Sequence, residues 1–130
     1  MTLAFDTSIL IELERRNPVI IKKMKELSEL DYLPPYLPFM SYYEFLRGLK
    51  IRGSKDYEKK LAFLNKFNIL KTSKKTAEIL ADLKIKYDKQ GITLPLADFL
   101  ITSQVIENNL TLVTMDRDFE KIESLKKIIL

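Results

Sequence analysis

At 130 residues, 46% of them hydrophobic and 31% charged, the chain is sized for a single domain around one substantial core. It contains no Cys and no His, which excludes disulfides, thiolate chemistry, the Ser-His-Asp triad and imidazole metal sites. Its 22 basic and 18 acidic residues give a net charge of +4, which suits a polyanionic partner or simply a lysine-rich solvated surface.

In chain order, "LAFD" at 3–6 has the apolar run of a short buried strand, and "SILIELERR" behind it that of a helix. Asn17 and Pro18 restart a helix as cap and first-turn residue, and "VIIKKMKELSEL" alternates apolar and basic faces at helical spacing. The prolines of "YLPPYLP" leave room only for an edge or very short strand. "SYYEFLRGLKI" opens with Ser41 and Glu44 in a Ser-x-x-Glu capping pattern and is broken at Gly53. A helix in "SKDYEKKLAFLNKF" and a strand in "NIL" follow. A long amphipathic helix then sets Leu80, Leu83 and Tyr87 on one face and stops at Gly91.

"PLADFLITSQVIENN" is apolar on nearly all sides, so it predicts a central helix. "TLVT" predicts a β-branched strand, "DRDFEKI" a turn into a brief helix, and "KKIIL" a last strand. Four or five short strands alternating with helices predict an α/β sandwich with a mainly parallel sheet, one domain over residues 1–130. No apolar stretch approaches the roughly 20 residues of a membrane helix, and no signal-type leader precedes the first strand, so the expectation is a cytoplasmic protein.

Five acids are candidates for chemistry, and each has a structural alternative. Asp6, at the end of the first strand, also suits a helix cap. Glu44 occupies the fourth position of the capping pattern. Asp98 lies among Leu94, Leu96, Ala97, Phe99, Leu100 and Ile101, where an unpaired carboxylate costs more than a helix dipole returns, so a cation must face it. That cation is a Lys, an Arg or a metal ion. Asp116 and Asp118 follow the "TLVT" strand, where acids are commonly solvated or capping. As a set, Asp6, Glu44, Asp98 and Asp116 gather at the carboxyl rim of an open parallel sheet. Carboxylates crowded there repel one another unless protonated or bridged by cations, and without imidazole the suited ions are Mg²⁺ or Mn²⁺.

With these residues in place, the chain resembles the PIN-domain ribonucleases, and most closely the VapC-type toxins of prokaryotic toxin–antitoxin pairs. "LAFDTSILI", "SYYEFLRGL", "LPLADFLIT" and "LTLVTMDRDFEKI" are similar, in order, to the four acid-bearing motifs of that family and span nearly the whole chain. Two departures stand out. Asp116 and Asp118 are two residues apart where the family spaces its acids by three, and Phe99, Thr102 and Ser103 replace small alanines.

The resemblance implies a PIN-like three-layer sandwich and a Mg²⁺- or Mn²⁺-dependent endoribonuclease, hydrolysing RNA with water activated by one or two ions. It implies that Asp6, Asp98 and Asp116 hold metal, with Glu44 completing the set through water. Asp118 is the alternative to Asp116, or else assists through water or caps the short helix. Thr7, Ser8 and Thr114 would orient carboxylates or a water, where plain turn and strand chemistry would equally account for them. Arg47, Lys50 and Arg117 would meet RNA phosphates, where ordinary surface charge is the competing role. Tyr36, Phe39, Tyr42, Tyr43 and Phe45 suit core or interface packing over base stacking. A small VapB-like antitoxin and a homodimer are the implied partners.

A receiver domain would need paired acids after the first strand, and a haloacid-type phosphatase a second Asp at position 8, which is Ser8. Neither pattern is met. A housekeeping RNA-processing nuclease and a PIN-fold binding module with little catalysis remain the alternatives. Neutralising Asp6 is expected to cost activity more than stability.

Overall fold

A computed structural model describes residues 2–30, 34–53 and 55–130. Five parallel strands form one sheet in the order β3-β2-β1-β4-β5, where β1 is Leu3–Phe5, β2 Tyr36–Leu37, β3 Asn68–Ile69, β4 Thr111–Thr114 and β5 Lys127–Ile129. Among the described residues six helices cover it: α1 Thr7–Glu14, α2 Pro18–Ser28, α3 Phe39–Arg52, α4 Tyr57–Leu64, α5 Lys74–Lys89 and α6 Leu96–Glu107. The expected α/β sandwich is therefore what forms. Tyr32 and Leu33 of the proline-rich stretch, and Ser54 of the fourth helical segment, lie outside the described residues.

The period of two along the central strands sorts their side chains between two cores. Leu3 and Phe5 of β1 and Val113 of β4 join Ile9, Leu10, Phe45, Leu49 and Leu64 from α1, α3 and α4. Ala4 and Leu112 point the other way, into a core built with Leu83, Tyr87, Phe99, Ile101 and Val105 of α5 and α6. Register matches this sorting, since Ala4 stands opposite Leu112 and Phe5 opposite Val113. Both faces of β1 are buried, which explains its uninterrupted apolar run. The helix over 96–107 is central as expected, with every residue from Ile101 to Val105 buried.

One local expectation fails. The helix carrying Glu44 starts at Phe39, not Ser41, so the Ser41–Glu44 capping box does not form. Pro38 opens the helix and offers no side-chain acceptor. Gln104, buried on α6, fills that role: its Oε1 accepts from the Phe39 N–H at 2.9 Å while its Nε2 donates to the Leu70 carbonyl at 3.1 Å. One amide side chain thus ties α6 to the start of α3 and the end of β3. Gly53 ends α3 as expected, in the left-handed conformation with φ 52°.

Candidate metal centre

The site is assembled where β1 and β4 end. Asp6 lies one residue past β1, and its N–H still bonds the Val113 carbonyl at 3.1 Å. Its side chain then turns to cap α1, with Oδ1 accepting from the Thr7 N–H at 2.7 Å. Oδ2 accepts from two hydroxyls, Thr114 Oγ1 at 2.6 Å and Ser8 Oγ at 3.2 Å. Each hydroxyl is itself fixed from the next segment, because Asp116 N–H donates to Thr114 Oγ1 at 2.9 Å and Met115 N–H to Ser8 Oγ at 3.0 Å. Thr114 and Ser8 therefore lock the turn after β4 onto the turn after β1.

Asp116 opens a short 3-10 turn over Arg117–Lys121, and its Oδ1 accepts from the Asp118 N–H at 2.9 Å. Capping here is done by Asp116 and not by Asp118, whose carboxylate lies among the other acids with Lys121 at 3.7 Å. Asp98 is the third residue of α6, which also begins after a proline with no side-chain cap. One carboxylate oxygen from each of Asp98, Asp116 and Asp118 lies within 4.8 Å of the others. Around a Mg²⁺ ion bound at about 2.1 Å, neighbouring oxygens stand about 3.0 Å apart and opposite ones about 4.2 Å, so this trio could close on one hard cation by drawing its side chains together.

Asp6 and Glu44 belong to the same field. Burial, then Asp116, Asp6, Asp118 and Glu44, push the Asp98 carboxyl up to about 6 from 3.8. Burial raises Asp6, opposed by the Thr114, Thr7 and Ser8 hydrogen bonds, while Asp116 adds to the rise. Burial and Asp6 raise Glu44, offset in part by the nearby Thr7 hydroxyl, which is buried but outside good hydrogen-bond geometry. Among the described residues no ion pair involves Asp6, Glu44, Asp98 or Asp116, and only Asp118 has a basic neighbour, Lys121 at 3.7 Å. The Lys or Arg that would have explained Asp98 is absent from this set.

None of the basic candidates Arg47, Lys50 and Arg117 forms a described ion pair with this trio. Arg47 and Lys50 are exposed on α3, beside Tyr43, Leu46 and Ile51. Arg117 turns to Glu120 at 2.7 Å. Of the aromatic cluster, Tyr36, Tyr42 and Phe45 pack into the cores, while Phe39 and Tyr43 are exposed. Gln104 carries no motif that marks it in the sequence, although a lone amide on an otherwise apolar helix is its signal.

Fold and site together define an α/β protein with a cluster of carboxylates at the carboxyl edge of a parallel sheet. Residues 3–125 match the family model of the PIN domain, and the chain belongs to the PIN-domain family, a family of nucleases. No curated protein sequence matches it. Among solved structures it is similar to a chain of VapBC2 from Rickettsia felis, bound to a DNA fragment from its promoter. The TM-score there is 0.82, with 21% identity over 99% of this chain and 98% of that one. A chain of VapBC-1 from nontypeable Haemophilus influenzae gives 0.77, at 22% identity over 99% and 98%. A chain of a toxin–antitoxin complex from Klebsiella pneumoniae gives 0.76, at 23% identity over 98% and 96%. No described helix is long and apolar enough to cross a membrane.

Proposed function

We propose that this chain is a metal-dependent endoribonuclease and the toxin of a VapBC-type pair. The observation that carries the nuclease role is Asp98, a half-buried carboxyl pushed up to about 6 by burial and by four other acids, with no described ion pair to relieve it. A divalent cation relieves that repulsion, and oxygen-only donors suit Mg²⁺ or Mn²⁺. Asp98, Asp116 and Asp6 would hold one or two such ions, with Glu44 acting through water. Asp118 joins them by its place in the trio.

When bound, such an ion supplies a reactive water at neutral pH and stabilises charge on a phosphate. The chain's own residues prepare the place. Thr114 and Ser8 fix Asp6 to the 115–116 backbone, and the helix-capping amide of Thr7 favours its ionised form. Arg47 and Lys50, exposed on the helix that carries Glu44, would offer phosphate contacts. Hydrolysis by water leaves a 5′-phosphate and a 3′-hydroxyl.

The toxin role draws on the likeness to VapBC and toxin–antitoxin structures. On it the chain works in the cytoplasm as one domain, forms a homodimer and is silenced by a small VapB-like antitoxin. Incubation of RNA with the purified chain tests the nuclease role: cleavage should require Mg²⁺ or Mn²⁺ and vanish in folded Asp98→Asn protein. Undiminished cleavage in excess chelator, or by that variant, overturns it.

A further inference from the structure

At the far end of α1 from the acidic rim lies a groove of about 400 Å³, between the end of that helix and α4. Leu13 and Phe63 floor it, and Arg16, Lys59, Lys60 and Lys66 stand around it with Glu14 and Asp56. Lys60 is spent on Glu14 across the groove, at 3.6 Å. Arg16, Lys59 and Lys66 take part in no described ion pair. With 8 residues at about 1.5 Å each, α1 itself runs about 12 Å from its Asp6 cap to the end that borders this groove.

The chain thus separates its charge, with acids gathered at one end of α1 and uncommitted cations at the other. We infer that this groove is a second contact for the RNA, holding the phosphate backbone of the strand that runs on from the rim; this rests on the nuclease role proposed above. Charge complementarity favours a nucleic acid, whose affinity comes from releasing counterions at each phosphate neutralised. An acidic peptide helix would need a row of apolar anchors, and the floor offers two side chains already packed into the core. The groove then sets affinity for longer RNA without touching the cleaved bond.

The test uses Lys59→Glu/Lys66→Glu, with Lys86→Glu/Lys89→Glu on α5 as a control of equal charge change. All four lysines are exposed, and a thermal melt verifies each fold. Binding of a single-stranded RNA is measured by fluorescence anisotropy in chelator, in an Asp98→Asn background, over a range of salt. The groove variant should bind about tenfold or more weakly at low salt, and its salt slope should fall by about 1 to 2. The control should lose far less. In the active background, KM for a long RNA should rise at unchanged kcat, while a short oligonucleotide that fills only the rim is cleaved as before.

Equal losses in the two variants, or none in either, overturn the groove assignment. So does tighter binding of a polyglutamate peptide than of RNA at this groove. Failure of the nuclease role would show separately, as absence of cleavage with RNA binding still dependent on Lys59 and Lys66.

Discussion

The two ends of α6 carry carboxylates that meet opposite treatment. Glu107, its last residue, accepts from Ser73 Oγ at 3.0 Å and from Thr76 Oγ1 at 2.5 Å, and so secures the capping box that starts α5. Asp98, in its first turn, has no described donor on its carboxylate and four acids around it. A structural acid is given hydrogen-bond donors by the fold itself. An acid left without them, among like charges, is the one a cation would relieve, as proposed above for Asp98.

The largest expected effect sharpens that contrast. Asp98→Asn should lower RNA cleavage by roughly a hundredfold or more, while its melting temperature without metal holds or rises because a repulsive charge is gone. A fall in stability equal to that of a core substitution would mean that Asp98 has a structural partner after all. Cation binding is next. At a hundredfold excess over Kd, Mn²⁺ or Mg²⁺ should stabilise the wild-type chain by about 2.7 kcal/mol, and Asp98→Asn by much less.

Thr114→Val tests the link between the turns. Loss of its bonds to Asp6 and to the Asp116 amide should cost about 1–3 kcal/mol and lower activity about tenfold to a hundredfold, read by denaturant melts and initial rates. Acid titration probes the same charges without any ion. The folded Asp98 carboxyl titrates near 6 against 3.8 when unperturbed, so between those values the fold holds more proton than the unfolded chain. Ion-free stability should therefore fall as pH rises through that window, and Asp98→Asn should flatten the slope. The smallest effect belongs to the other end of α6: Glu107→Ala should cost about 1–2 kcal/mol with cleavage intact.

Asp6 combines both characters. It is buried, held by three donors, and caps α1, yet it also raises Asp98 and Glu44. At the level of sequence, capping alone or charge alone suffices to account for "FDTS", and the fold uses both. Asp6→Asn keeps the cap acceptor, so activity remains the more sensitive readout of that variant.

Much of the architecture was legible because its signals are local. Uninterrupted apolar and β-branched runs wrote β1 and β4 into the chain, helical spacing wrote Leu83 and Tyr87 into α5, and Asn17–Pro18 and Gly53 punctuated the helices. The start of α3 was not legible, because the acceptor for the Phe39 amide is Gln104, 65 positions away. For the same reason Ser41 looked like a cap and instead lies buried with no hydrogen-bond partner among the described residues.

The sequence by itself determined the order of strands and helices, the absence of thiol and imidazole chemistry, and the four acids Asp6, Glu44, Asp98 and Asp116 at strand ends and in early helical turns. Only the tertiary structure decided how those acids share one field. It placed Asp118 with Asp98 and Asp116, gave the capping role to Asp116, and put Thr114 on Asp6 across 108 positions of chain. Periodicity records which face of an element is buried. Which charges then meet is fixed by parallel pairing of β1 with β4, which brings their carboxyl ends side by side.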